Sequence, residues 1–303
     1  MVSAAPPPTP ILRFAPSPNG FLHLGHAYSA LMNARVAARL GGILRLRFED
    51  IDAARCRPDY ATEAMADLAW LGVEWQGPVV YQSTRFPAYA AALARLRADG
   101  LLYPCFCGRG DIARAVADRP AWPRDPDGSP LYPGTCRVLT PAERKARSAA
   151  GLRSSLRLDM AAARRRPSPD LHWTEFGESD VPTRVRADPA RWGDVLLTRK
   201  DVPTSYHLSV AVDDAAQSIT DVVRGRDLFA ATALHRLLQV LLELPEPAYH
   251  HHELICGVDG SKLAKSRGAA ALRTLRQNGV DPDSLLQLAG SALERAARTS
   301  NSL

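Results

Sequence analysis

A strand–helix–strand unit over residues 11–48 narrows the folds open to this chain more than any other feature. Ile11 to Phe14 reads as a short buried strand, followed by a Pro/Gly-rich loop. A helical pattern rich in Ala, Leu and Met runs from about His23 to Leu40. Gly41-Gly42 supplies the helix stop, and Ile43 to Phe48 follows as a second strand, with Glu49, Asp50 and Asp52 just past its end. Such a unit implies a parallel sheet with a right-handed crossover. Ligands of open parallel sheets bind beyond the carboxyl ends of the strands. Both the loop and the acidic cluster fall there.

Further along, Tyr60 to Gly72 and Phe86 to Gly100 read as amphipathic helices. Cysteines, prolines and arginines then crowd residues 103–194, which read as an inserted module. Strand patterns return at Val195 to Leu197 and at Ser205 to Val212. Leu228 to Leu244 reads as a helix ended by Pro245, Tyr249 to Ile255 as a last strand, and the chain from about 270 as helical. The expected organisation is α/β: a disordered tail (1–10), a catalytic domain in two halves (11–102 and 195–266), the insert between them, and a helical end (267–303).

A chain of 303 residues with 46% hydrophobic and 23% charged content reads as an ordinary globular protein. It has no apolar run of transmembrane length, and Met1 to Pro10 does not read as a secretory signal, so the cytoplasm is the expected compartment. The net charge of +6 permits a polyanionic partner. The arginine clusters Arg164-Arg165-Arg166 and Arg184, Arg186 and Arg191 could contact RNA phosphates, but such clusters are more often solvated loops and carry little weight. Only Lys145, Lys200, Lys262 and Lys265 are lysines, and two of these four fall in Lys262-Leu-Ala-Lys-Ser266. That concentration says more than the net charge.

The first loop suits a triphosphate. A helix N-terminus offers backbone N–H groups and a favourable dipole. His23 and His26 share one face of the first turn, and Gly25 lets a ligand approach closely. Pro16 and Pro18 stiffen the lead-in. Neither a Walker-type lysine loop nor a Gly-x-Gly-x-x-Gly is present, so a P-loop ATPase and an ordinary dinucleotide site both fit poorly.

The segment Phe14-Ala-Pro-Ser-Pro-Asn-Gly-Phe-Leu-His-Leu-Gly-His26 resembles the HIGH signature of class I aminoacyl-tRNA synthetases in its glutamyl form, and Lys262-Leu-Ala-Lys-Ser266 resembles their KMSKS loop. Between them Arg47-Phe-Glu-Asp-Ile-Asp52, Ser205-Tyr-His-Leu, Val212-Asp-Asp214 and Val223-Arg-Gly-Arg-Asp-Leu228 are similar to glutamyl-synthetase segments in the same order. The resemblance implies a Rossmann-like catalytic domain in which glutamate attacks the α-phosphate of ATP and the glutamyl group passes to an RNA hydroxyl. It implies that His23, His26 and Lys265 stabilise the reacting triphosphate. Pro16, Gly25, Lys262 and Ser266 would complete the ATP site, with Mg2+ accompanying the ATP. By motif position Arg13 and Arg224 would hold the carboxylates of glutamate and Glu49 its ammonium. Ser17 and Tyr206 would add hydrogen bonds, and Phe14, Ala15 and Pro16 would line the pocket. The loop departs from its signature at Ala264, where serine is common, and Lys200-Asp-Val-Pro-Thr-Ser205 lacks an expected glycine.

Five cysteines, Cys56, Cys105, Cys107, Cys136 and Cys256, make an odd count without a secretion signal, which argues against a disulfide framework. Cys105-Phe-Cys107 and Cys136 suit a structural zinc ion, which takes four ligands. Tyr132, His172 and Cys56 are candidates for the fourth. The Cys-x-Cys…Tyr-x-x-x-Cys pattern, with Trp75-Gln-Gly-Pro78 and Tyr81-Gln-Ser83, is similar to the short synthetase paralogues known as glutamyl-Q tRNA(Asp) synthetases. That resemblance implies Tyr132 as the fourth ligand. His250-His251-His252 is not read as a metal site, because neighbours on a strand point to opposite faces.

The 37 residues after Ser266 are expected to hold no anticodon-binding domain. The subfamily implies a different acceptor, queuosine at the wobble position of tRNA(Asp); a monomer with no membrane partner is the expected state. The competing readings are a truncated glutamyl-tRNA synthetase charging 3′ ends and a non-catalytic binding paralogue.

Overall fold

The computed structural model describes residues 8–166, 170–176, 181–255, 271–282 and 284. The opening unit is β1 (Ile11–Phe14), α1 (Leu24–Arg39) and β2 (Ile43–Phe48), with β1 and β2 parallel and in register from Ile11 opposite Ile43 to Phe14 opposite Leu46. Next come α2 (Pro58–Trp70), the short β3 (Val80–Tyr81), α3 (Phe86–Ala98) and β4 (Leu102–Cys105). The middle of the chain gives α4 (Arg109–Ala115), α5 (Pro141–Ala149), β5 (Ser155–Leu158), α6 (Met160–Ala163), β6 (His172–Phe176) and β7 (Pro182–Arg186). The last elements are α7 (Tyr206–Ala216), β8 (Asp221–Gly225), α8 (Ala231–Leu241), β9 (Ala248–His252) and α9 (Leu272–Gln277).

Seven strands form one sheet in the order β3-β2-β1-β8-β9-β6-β7, parallel except at β7, and β4 with β5 makes a separate antiparallel pair. The chain leaves β1 toward β2 on one side and returns to β8 on the other. A crevice therefore opens beyond the carboxyl ends of β1, β2 and β8, the usual ligand site of such sheets. Strands β6 and β7, which come from within the segment read as an insert, join the main sheet beside β9.

Leu12, Phe14, Leu44, Leu46 and Phe48 of the strands bury against Ala27, Ala30 and Val36 of α1 and Ala61, Ala64 and Leu68 of α2. A second cluster joins Tyr89, Leu93 and Leu96 of α3 to Leu208 and Ala211 of α7 and Leu234, Leu237 and Leu238 of α8. Among the described residues no helix is long and apolar enough to cross a membrane.

Two sequence readings are corrected. Ser205 to Val212 is the start of helix α7, with the Ser205 hydroxyl capping it by accepting from the Leu208 N–H at 3.4 Å. The strand expected at Val195 to Leu197 is only a single bridge between Leu196 and Arg157.

Candidate active site

The loop after β1 is tied down by its own backbone. Pro16 O accepts from the Glu49 N–H and Pro18 O from the Arg57 N–H, both at 3.0 Å, so the loop is fixed to the segment that leaves β2. His23 caps α1: its Nδ1 accepts from the Gly25 N–H at 3.1 Å, while His26 Nδ1 accepts from the His23 N–H at 3.2 Å. With Nδ1 accepting, each neutral imidazole carries its proton on Nε2, the tautomer that can donate to an anion. The first turn of α1 has no acidic residue to oppose its dipole.

Lys262, Lys265 and Ser266 lie outside the described residues. The residue that follows their segment is placed, however. Ala271 bridges to His23, and the Leu272 N–H donates to Leu22 O at 2.8 Å. Arg276 of α9 then holds Asp67 and Glu63 of α2, at 2.9 and 2.8 Å.

Beyond the strand ends the structure gathers the charged residues that the motifs single out. Arg13 of β1 and Arg47 of β2 both donate to Asp214 Oδ1, at 3.0 and 2.8 Å, and Arg47 reaches Glu49 Oε1 at 3.4 Å. Burial pushes the Glu49 carboxyl up from its ordinary value, against the pull of Arg47 and Arg13. Asp214 goes the other way, because the two guanidinium groups more than offset its burial. The Tyr206 phenol is pushed up to about 12 by burial; Arg224, Glu49, Arg13 and Asp214 all act on it. Five of the expected glutamate-site residues (Arg13, Glu49, Tyr206, Arg224 and Pro16 through Glu49) therefore come from separate strands, loops and helices to one region. Phe14 is buried in the core beneath it, and Ala15 and Ser17 are half-buried in the loop.

Arg224 is the least expected of these in its surroundings. It sits at the end of β8, is 5% exposed, and donates to His251 Nε2 (3.1 Å), His235 Nδ1 (3.2 Å), Thr232 Oγ1 (2.7 Å) and Leu228 O (3.2 Å). Among the described residues none of these partners is a carboxylate. A buried cation is costly unless paired, so this arrangement suits an anionic ligand. Gly225 next to it is tightly enclosed: a Cβ would come within 2.8 Å of the Leu254 side chain and nearer still to that of Asp227, so those side chain ends would have to shift. Sequence reading singled out Arg224 by its motif but missed His207, His235 and Glu175, which surround it only through tertiary packing.

The cysteines form a separate centre at the end of β4. The sulfurs of Cys105, Cys107 and Cys136 lie within 4.8 Å of one another, and among the described residues they are the one such His/Cys/Asp/Glu group. The Tyr132 hydroxyl is 3.6 Å from Cys107 Sγ and accepts from the Cys136 N–H at 2.8 Å. Gly134, at φ +84°, makes the turn that folds Tyr132 back. The Phe106 N–H points at Cys136 Sγ and Arg157 Nε–H at Cys105 Sγ, both at 3.3 Å. Donors aimed at the Cys136 and Cys105 sulfurs favour their thiolates, and with Cys107 and the Tyr132 oxygen the group offers the four ligands that a tetrahedral cation takes. The other two fourth-ligand candidates are elsewhere: His172 is held by Asp170 in β6, and Cys56 lies against Glu49 O.

Comparison with known proteins identifies the family and the fold. Residues 11–292 match the family model of the class I tRNA synthetases (E and Q), catalytic domain. The glutamyl-Q tRNA(Asp) synthetase of Rhodobacter capsulatus is 46% identical over 92% of this chain and 99% of its own length. That of Symbiobacterium thermophilum is 43% identical over 90% of this chain and 83% of its own length. Among solved structures, a glutamate tRNA ligase from Elizabethkingia meningosepticum in complex with its amino acid superposes with a TM-score of 0.69 at 26% identity over 86% of this chain. This chain spans about half of that ligase, 53%. The family model matched over residues 11–292, and relatives covered over 99% and 83% of their own length, place this chain in the class I glutamyl/glutaminyl-tRNA synthetase family, among the ligases named glutamyl-Q tRNA(Asp) synthetases.

Proposed function

We propose that this chain activates L-glutamate with ATP and transfers the glutamyl group to queuosine at the wobble position of tRNA(Asp). The observation that carries the amino acid half is Arg224: a buried guanidinium held by neutral acceptors, with Arg13 and Glu49 in the same crevice. Two cations and one carboxylate complement a substrate with two carboxylates and one ammonium. His23 and His26, at the unopposed N-terminus of α1, suit the triphosphate.

In the first step a glutamate α-carboxylate oxygen attacks the α-phosphorus, and the α–β phosphoanhydride bond breaks to release pyrophosphate. In the second a hydroxyl of the queuosine ring attacks the mixed anhydride, the hydroxyl proton is lost, and AMP leaves. Neither step needs an enzyme nucleophile, so positioning and electrostatics carry the catalysis. Lys262, Lys265 and Ser266 complete the ATP site in this reading, and Mg2+ supplies charge neutralisation to the bound ATP. Zinc, held by Cys105, Cys107, Cys136 and Tyr132, holds the β4 region together and takes no part in the chemistry. The reading also takes the protein to be a cytoplasmic monomer.

The acceptor rests on the names of the relatives, and the test therefore varies the acceptor. Glutamate transfer is measured onto tRNA(Asp) with and without queuosine. Transfer that requires queuosine, with label that survives removal of the 3′ adenosine, supports the reading. Equal transfer to both tRNAs, or label lost with the 3′ adenosine, would replace it with 3′-end charging.

A further inference from the structure

Arg224 and the residues that hold it form a chain of five groups across five elements. Arg224 of β8 and His251 of β9 are register partners on adjacent parallel strands, so their side chains lie side by side on one face. Thr232 and His235 come from the first turns of α8, His207 from α7, and Glu175 from β6. The distances run Glu175 Oε2 to His251 Nδ1 2.8 Å, His251 Nε2 to Arg224 Nε 3.1 Å, Arg224 Nη1 to His235 Nδ1 3.2 Å, and His235 Nε2 to His207 Nδ1 3.1 Å.

Hydrogen-bond direction fixes every proton in this chain. A guanidinium only donates. His251 Nε2 and His235 Nδ1 must therefore be bare acceptors, and neither ring can be an imidazolium while these bonds stand. His251 then carries its proton on Nδ1 and gives it to Glu175. His235 carries its proton on Nε2 and gives it to His207 Nδ1. Burial acts in the same direction on both rings, holding them below the ordinary histidine range. Packing fixes their planes: His251 stacks on Tyr249 at 2° and meets Phe229 edge-on, while His235 and His207 both meet Tyr206 edge-on.

The choice of acceptor matters for charge. A carboxylate touching Arg224 would orient it equally well but would neutralise it, and a substrate carboxylate would then have to compete. Imidazole, hydroxyl and carbonyl acceptors orient the fork and leave its charge for the ligand. Here a carboxylate, Glu175, acts one step removed, through His251. We propose that His235 and His251 are positioning residues that hold Arg224 as an oriented but unneutralised cation, and that this sets the preference for a carboxylate-bearing amino acid. The inference rests on the reading of Arg224 as a carboxylate holder.

The test uses the full chain and glutamate-dependent ATP–pyrophosphate exchange. The variant H235Q places an amide oxygen toward Arg224 and an amide N–H toward His207, and H235E places a carboxylate there with nearly the same shape. The expected result is a glutamate KM for H235E raised on the order of 30-fold, the cost of diverting a buried charge. The ATP KM should stay near that of the parent, and H235Q should restore most of the glutamate KM. Equal glutamate KM values for H235E and H235Q would overturn the inference, since a purely structural role does not distinguish them. Absence of exchange in the parent protein would instead count against the proposed function. A second measurement does not depend on how the variants fold. In 15N-histidine NMR of the parent protein His251 should appear as the neutral Nδ1–H tautomer and His235 as the neutral Nε2–H tautomer near neutral pH. An imidazolium signal from either ring would overturn the inference.

Discussion

Arg47 and Asp214 form a buried ion pair, Nη1 to Oδ1 at 2.8 Å, with the Arg47 side chain fully buried and Asp214 only 8% exposed. Arg13 shares the same oxygen at 3.0 Å, so one carboxylate serves two guanidinium groups at the base of the crevice. Removing the charge of Asp214 leaves both arginines buried without their shared partner. D214N is expected to lose about 3–5 kcal/mol of stability, the usual cost of breaking a buried pair. Urea unfolding at neutral pH measures this, and a loss below 1 kcal/mol would mean that Glu49 and water replace the carboxylate.

Glu49 is expected to receive the substrate ammonium only when ionised. Its folded value lies above the ordinary 4.5, because burial outweighs the attraction of Arg47 and Arg13. The kcat/KM for glutamate should therefore fall on acidification at a pH above 4.5, with the ATP KM little changed. E49Q should abolish that acid limb and raise the glutamate KM on the order of 30-fold. An acid limb that persists in E49Q would assign the titration to another group.

The thiol centre gives a prediction that needs no activity assay. The parent protein should carry about one zinc per chain, by elemental analysis of the purified protein. C136S removes one of the sulfurs that lie within 4.8 Å of one another and should leave zinc substoichiometric. It should also loosen the local structure that Phe106, Arg157 and Lys200 build on β4 and β5. Full zinc retention in C136S would remove Cys136 from the ligand set.

Local pattern made the first half of the sheet legible. β1, α1 and β2 fall where the sequence places them because each is short, periodic and punctuated, with Gly41 at φ +62° ending the helix. Helix α7 reads as a strand in the sequence for an equally physical reason. Leu208, Ser209, Val210 and Ala211 are all buried, so the helix shows no polar face at its start and its apolar run mimics a buried strand. The capping Ser205 was the available signal. β8 does not read as a strand because its buried run Asp221-Val-Val-Arg224 carries charges that only tertiary partners satisfy, His250 for Asp221 and the histidine chain for Arg224.

The candidate site divides in the same way. Residues set in motifs (His23, His26, Glu49, Arg224) could be named from sequence, since their spacing is fixed along the chain. The grouping of His207, His235, His251 and Glu175 around Arg224 could not, because their contacts span 28 and 76 positions, or reach Arg224 across 11 and 27. The strand register of β8 on β9 and the packing of α7 on α8 create that cluster, and neither can be read from local pattern.

Lys265 belongs to the segment similar to the KMSKS loop, and the prediction for it rests on its chemistry as a point charge. K265A should lower glutamate-dependent ATP–pyrophosphate exchange on the order of 100-fold while leaving thermal unfolding unchanged. Unchanged exchange would refute its role in stabilising the leaving phosphates.

His207 gives a stability prediction with a definite sign. Burial, then the Arg224 charge, lower its folded value from 6.5 to about 4, and His235 is lowered in the same sense. Between pH 6.5 and 4 the unfolded chain therefore binds protons that the folded protein does not. Stability then rises with pH through this window and is lost on acidification from 6.5 downward. Carboxylates with raised values, such as Glu49, contribute the opposite slope, so the histidine term is isolated by difference. H207Q should flatten the fall in the urea midpoint between neutral and mildly acidic pH, relative to the parent protein. An equally steep fall in H207Q would show that His207 is not what the acid titrates.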